Sequence, residues 1–110
     1  MLGKQAKILS RKNVRRLLIE AGRGRMPERD RLMVLLAIYA GLRAAEIAQL
    51  TWGMVLDAHG GIAATIDVRD RIAKRGTGRR VPLHPRLKTA LMAWCQRHFE
   101  SDPGLPLSAT

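Results

Sequence analysis

An arginine follows the end of an apolar segment, and its surroundings favour a role in binding a phosphate group. Gly41 can end a helix in a left-handed conformation, and the apolar residues Leu42 and Ile47 on either side of Arg43 are expected in the core. A guanidinium held by the core presents a fixed planar fork, which suits bidentate binding of a phosphate diester. Glu46 lies on the same helical face and could orient this fork, although a simple helix pair that only stabilises a turn remains open.

Lys74 is a second candidate for phosphate chemistry. It precedes the Gly-containing stretch Arg75–Gly78, where a flexible turn could carry an ammonium group to a phosphate or to a leaving oxygen. Taken by itself, Lys74 is more simply interpreted as one more cation in a basic ribbon.

The charge of the chain predicts a polyanionic partner. Its 110 residues carry 20 Lys and Arg against 9 Asp and Glu, a net charge of +11. Self-repulsion of this size is tolerated most readily when a polyanion neutralises it, so nucleic acid is the leading partner. The excess lies in residues 1–31, with ten basic and three acidic side chains, and in residues 69–86, with seven and one. Besides Arg43, the candidate DNA contacts in these zones are Lys4, Lys7, Lys74, Arg75, Arg79 and Arg80.

The composition argues against an internal disulfide, a metal cluster and a membrane span. Cys95 is the single cysteine, most simply a small half-buried residue on a helix, which fits a reducing cytoplasm. The longest apolar run, Leu32–Leu42, is too short to cross a bilayer, and Met1–Ser10 lacks the apolar segment of an export signal. We therefore expect a cytoplasmic protein with no bound metal and no membrane partner.

Apolar periodicity predicts four helices. Ser10 is a candidate cap for the first, and Pro27 has the chemistry of a first turn in the second. The second half of that helix is apolar on every face, which is typical of a helix surrounded by protein. The predicted helices cover residues 11–21, 27–40, 44–50 and 85–100, and the Pro-, Gly- and Ser-rich tail 101–110 is expected to be loose.

A change to a two-residue period predicts a small sheet between the third and fourth helices. The alternation of Ile62–Val68 is that of a strand with one buried face, and Arg71–Lys74 and Arg79–Leu83 are predicted to follow as two more strands. Pro82 places the last strand at an edge. The predicted fold is therefore a single α+β domain over residues 1–110, mainly helical, with a three-stranded antiparallel sheet.

Two segments resemble the catalytic domain of tyrosine recombinases, the phage integrase family. Gly41–Trp52 reads Gly-Leu-Arg-Ala-Ala-Glu-Ile-Ala-Gln-Leu-Thr-Trp and resembles the first arginine box of that family. About thirty residues later, Lys74–His84 resembles the family's β-hairpin, in which a lysine precedes a Gly-containing turn and a Val-Pro-Leu strand. The order and the spacing agree, and the resemblance extends from about Ala6 onward, as the N-terminal part of an incomplete DNA breaking-rejoining core.

The resemblance implies a role for each of three residues. Arg43 would be the first of two arginines that clamp the scissile phosphate of double-stranded DNA and stabilise its pentacoordinate transition state. Lys74 would be the general acid that protonates the departing 5′ hydroxyl, and Glu46 would support Arg43. Such enzymes need no metal or other cofactor, and they conserve bond energy in a 3′-phosphotyrosine, which permits rejoining without ATP.

The remaining catalytic motifs of the family, a His-x-x-Arg box and a nucleophilic tyrosine, are not among these residues. Neither His84 nor His98 has an arginine three residues on, and His59 beside two glycines is most simply a turn residue. Tyr39 precedes Arg43 inside the apolar helix, where packing in the core is the better interpretation. We therefore expect that the chain does not cleave DNA alone, and that a C-terminal half or other recombinase protomers would complete the site.

Three functions stay open at this point. The favoured one is the DNA-binding part of a recombinase that acts in DNA recombination and integration. The second is a non-catalytic DNA-binding module, such as a decayed integrase of a mobile element that occupies recombination sites. The third, a small basic RNA-binding or structural protein, would leave the resemblance around Arg43 a coincidence.

Overall fold

Helices dominate the fold, which we describe from a computed structural model for residues 10–69, 72, 78–98 and 102–108. The α+β class with mainly helical content is confirmed. The elements in chain order are α1 (Arg11–Ala21), α2 (Pro27–Tyr39), α3 (Ala44–Gln49), a 3₁₀ turn (Trp52–Met54), β1 (Thr65–Val68), β2 (Arg79–Pro82) and α4 (Pro85–His98). All four helices begin at the predicted residue, and Phe99 and Glu100 at the predicted end of α4 lie outside the described residues.

Helix α2 is the centre of the core, as its apolar sequence predicts. It begins at Pro27, whose missing N–H costs nothing in a first turn, and it packs against α1, α3 and α4. Its buried side chains are Leu32, Leu35, Leu36 and Ala37. Gly41 ends this segment with φ of 66°, a left-handed conformation that strains any residue with a Cβ, so the direction of the chain at Arg43 depends on that glycine.

The sheet differs from the prediction in the number of its strands. Among the described residues it has two antiparallel strands, in which Thr65 pairs with Pro82 and Val68 with Arg79. Ile72 belongs to the predicted strand Arg71–Lys74 but lies in a turn. Its backbone N–H donates to the Arg69 carbonyl at 3.1 Å. The Ile72 side chain is buried, and this residue is not part of a strand. The remainder of that predicted strand lies outside the described residues.

The first strand is also shorter than predicted. It begins at Thr65, and Ile62 forms only an isolated bridge with Leu56. The two-residue alternation persists in the buried side chains of Ile66 and Val68. The alternating pattern therefore identified the buried face of the strand but not its beginning.

The tail is packed where the sequence predicts a loose segment. Leu107 is fully buried, and its N–H donates to the Leu50 carbonyl at 2.7 Å. The indole Nε1–H of Trp94 on α4 donates to the Leu107 carbonyl at 2.8 Å, and Thr51 forms an isolated bridge with Pro106. Complete burial of a leucine side chain contributes about 1.5–3 kcal/mol, which offsets part of the entropy lost when residues 102–108 are ordered.

No helix in the described part of the chain combines the length and the apolar character needed to cross a membrane.

Candidate functional site

Arg43 is positioned by the junction between α2 and α3. Its backbone is extended, with φ of −81° and ψ of 156°, and it forms the N-cap of α3. Leu42 before it and Ile47 after it are both buried, and the Arg43 side chain is half-buried. The core therefore anchors the backbone on both sides of this arginine, which limits the directions in which its guanidinium can point.

Glu46 joins the arginine box to the hairpin. Its side chain is only 2% exposed, and its Oε1 accepts a hydrogen bond from the backbone N–H of Arg43 at 3.0 Å. The same carboxylate receives two bonds from the guanidinium of Arg79 on β2, Nη1 to Oε2 at 2.8 Å and Nη2 to Oε1 at 3.1 Å. We call the arrangement of Arg43, Glu46 and Arg79 the carboxylate bridge.

The carboxylate bridge gives Glu46 contacts beyond those predicted. That Glu46 orients the Arg43 guanidinium stays a prediction, and the contacts described above fix the Arg43 backbone and the Arg79 side chain. The hydrogen bonds that Arg79 donates to the Glu46 carboxylate raise the pKa of Arg79, and the partial burial of Arg79 opposes this more weakly, so Arg79 keeps its charge. An acid at the third position of a helix is a known capping signal, but nothing local in the sequence points to a partner 33 residues away.

The other predicted DNA contacts fall into two groups. Arg80 is exposed on β2, opposite Asp67 of β1. Its neighbour Arg79 faces Glu46, so adjacent arginines of one strand have different environments, as alternation along a strand requires. The second group consists of the predicted DNA contacts that lie outside the described part of the chain, which are Lys4, Lys7, Lys74 and Arg75.

Tyr39 has a polar role that the sequence analysis missed. Its ring is half-buried and stacks on the imidazole of His84, with ring centroids 4.2 Å apart. Its hydroxyl accepts a hydrogen bond from Arg86 Nη1 at 3.0 Å, and the Arg86 guanidinium carbon lies 5.8 Å from the ring centroid. Only one side of Tyr39 therefore belongs to the core, and no sequence spacing links it to residues that follow β2.

The remaining titratable candidates have structural environments. His59 lies in a turn, as predicted, where its backbone N–H donates to Asp57 Oδ1 at 2.8 Å. This bond, together with one from the Gly61 N–H, lowers the pKa of Asp57. Burial raises the pKa of the half-buried Cys95 thiol. Within the described ranges, no three His, Cys, Asp or Glu side chains come together as a metal site.

Comparison with known families shows the family to which the chain belongs. The model of the phage integrase family matches residues 7–105, which is most of the chain. The chain therefore belongs to the phage integrase family, whose members act in site-specific DNA recombination and integration. The match includes both the arginine box and the hairpin strand that the carboxylate bridge holds together. Searches among curated proteins and among solved structures gave no significant match.

Proposed function

We propose that this chain supplies the phosphate-holding part of a site-specific recombinase. In this proposal Arg43 binds the scissile phosphate of double-stranded DNA and stabilises the charge that develops in the transition state. Lys74 donates a proton to the departing 5′ hydroxyl. The observation that carries the proposal is the carboxylate bridge, because it ties the segment that bears Arg43 to the strand that follows Lys74.

The carboxylate bridge suits this task because it makes the site rigid before DNA binds. A buried carboxylate is costly unless its oxygens are hydrogen-bonded, and here both oxygens of Glu46 have donors. The Glu46–Arg79 pair compensates the charge of one guanidinium, and the bond from the Arg43 N–H to Glu46 Oε1 holds the backbone at Arg43. A preorganised donor costs little reorganisation when the phosphate becomes more negative.

Strand cleavage in this family also needs the His-x-x-Arg box and the tyrosine, neither of which is among these 110 residues. We propose that they are supplied from outside this sequence, by a further part of the same polypeptide or by another protomer. The 110 residues alone are then expected to bind duplex DNA without forming a covalent link to it.

Binding and cleavage are tested separately. Binding to a short duplex is measured by fluorescence anisotropy for the unmodified chain, for Arg43→Gln and for Arg16→Gln, which removes the same charge from an exposed arginine of α1. We expect Arg43→Gln to lose more affinity than Arg16→Gln. Equal losses would mean that Arg43 is only one cation among many.

Cleavage is tested with a nicked duplex on a denaturing gel. The chain alone is expected to give no DNA-linked species. When a polypeptide with the family's His-x-x-Arg box and tyrosine is added, cleavage is expected, and Arg43→Gln should reduce turnover far more than affinity. A modest loss of binding with no effect on turnover would favour the non-catalytic DNA-binding module.

A further inference from the structure

A cationic cleft lies between α1, the end of α2 and the start of α4. It has a volume of about 800 Å³, and its apolar lining residues are Val14, Leu18 and Ile38. Its polar lining consists of Arg11 and Arg15 from α1, Tyr39 from α2, and His84 and Arg86 at the start of α4. We call this the α1–α4 cleft.

The lining of the α1–α4 cleft has positive charge without a compensating carboxylate. Three of its side chains are guanidiniums, and none of its described lining residues is acidic. Arg11 and Arg15 form no ion pair with any residue in the described ranges. A cleft of one charge sign with apolar walls concentrates its field, so it attracts anions more strongly than the same charges spread over a convex surface.

Two of the donors in this cleft are held in place before any ligand binds. The Tyr39 hydroxyl accepts from Arg86 Nη1 at 3.0 Å, and the guanidinium also lies close enough to the Tyr39 ring for a cation–π contact. The backbone N–H of Arg86 donates to His84 Nδ1 at 3.1 Å, so a neutral His84 carries its proton on Nε2, where it can donate. Restricted donors bind an anion at a smaller entropic cost than free side chains.

We infer that the α1–α4 cleft binds the phosphodiester backbone of duplex DNA, as a contact separate from the one at Arg43. This inference rests on the proposed function. Tyr39 and Arg43 are four residues apart in the chain, so their Cα atoms are separated by at most roughly 14 Å. The two sites are therefore close enough for one short duplex to contact both.

The test compares two pairs of substitutions on the same helix. Arg11→Gln with Arg15→Gln removes two charges that line the cleft, whereas Lys12→Gln with Arg16→Gln removes two exposed charges that do not. The salt dependence of affinity for a short duplex is measured for both double variants. We expect the slope of log K against log salt to become shallower by about 2 for the first pair, about 1 for each phosphate that an arginine no longer neutralises, and to change little for the second.

Tyr39→Phe tests the positioning of Arg86 without removing a charge. It keeps the ring on His84 and deletes the hydroxyl that accepts from Arg86. We expect a shallower salt slope than that of the unmodified chain, with a change smaller than removal of one arginine would cause. A purely structural role for the hydroxyl would lower the melting temperature and leave the slope unchanged.

Several outcomes would overturn the inference. Equal changes for the two double variants would assign the effect to net charge, and an unchanged slope for the Arg11 and Arg15 pair would exclude the cleft from the interface. An equal change with single-stranded RNA would show that the cleft does not select duplex DNA.

Arg43→Gln, measured beside these variants, separates this inference from the proposed function. If Arg43→Gln loses affinity while the cleft variants bind normally, the proposed function stands and DNA binding by the cleft is refuted. If the cleft variants alone change the slope and Arg43→Gln keeps its affinity, DNA binding by the cleft stands and phosphate binding by Arg43 is refuted.

Discussion

Replacement of Glu46 by glutamine isolates the electrostatic part of the carboxylate bridge, because the two side chains have almost the same shape. The substitution removes the negative charge that Arg79 contacts through two hydrogen bonds. It also replaces one accepting oxygen by an amide NH₂ group, which then faces the Arg43 backbone N–H or the Arg79 guanidinium. At least one donor at this buried position therefore loses its acceptor.

The expected cost follows from the burial of the two partners. Hydrogen bonds to charged groups contribute about 1.5–3 kcal/mol each, and a buried donor without a partner costs about 1–3 kcal/mol. Glu46 is 2% exposed, but the Arg79 side chain is 41% exposed, so water can replace part of what the guanidinium loses. We therefore expect Glu46→Gln to lower the free energy of unfolding by about 2–3 kcal/mol, which is less than the sum of these contributions because water compensates the exposed guanidinium.

Urea unfolding measures this cost. With an m value of about 1–3 kcal/mol/M, the midpoint should fall by roughly 0.7–3 M while m stays unchanged. Glu20→Gln is the matched control, since Glu20 pairs with Arg23 at 3.2 Å and both side chains are mostly exposed. Its cost should be below about 0.5 kcal/mol. If Glu46→Gln costs no more than Glu20→Gln, the carboxylate bridge does not stabilise the site and the reasoning is wrong.

Three further predictions concern other parts of the chain. Leu107→Ala should cost about 2–4 kcal/mol in urea unfolding because the side chain is fully buried, and a cost below about 1 kcal/mol would mean that the tail is loose. The pKa of Asp57 is lowered by the His59 and Gly61 N–H groups, so its contribution to stability is present above the ordinary pKa and is lost as the pH falls through the lowered one. An NMR titration of the Asp57 carboxyl carbon at or above the ordinary pKa would contradict this. Cys95 should react more slowly with a thiol reagent at neutral pH than it does in the urea-unfolded chain, because burial raises its pKa, and equal rates would refute its burial.

The helices could be predicted from the sequence because their signals are local. Ser10 accepts from the Asn13 N–H at the start of α1, Pro27 opens α2, and Gly41 takes the left-handed conformation that was expected of it. Each signal acts within a few residues of the helix end that it marks. The sheet and the tail were harder because Ile72 and Leu107 lie in segments with few apolar residues and no periodic pattern. Their burial depends on distant side chains, which a periodic pattern does not contain.

The candidate site was predictable only in part, for the same reason. Arg43 and Glu46 lie in one motif, so the sequence showed that they belong together. The partner of Glu46 is on β2, and whether Arg79 or Arg80 faces inward depends on the register of the strand. A shift of one residue would exchange the two arginines. The link between Tyr39 and Arg86 likewise joins residues 47 positions apart and has no signal in the sequence.

The hydrogen bond from Trp94 to the Leu107 carbonyl gives the protein an intrinsic optical probe. Both tryptophans, Trp52 and Trp94, are buried, so the fluorescence emission maximum of the folded chain should lie at a shorter wavelength than that of the unfolded chain. Release of the tail would let water reach the Trp94 indole while α2 remains folded, and the emission of that one fluorophore would shift to the red. Together with Trp52→Phe, which leaves a single indole, fluorescence can then follow the docking of residues 102–108 separately from unfolding of the core.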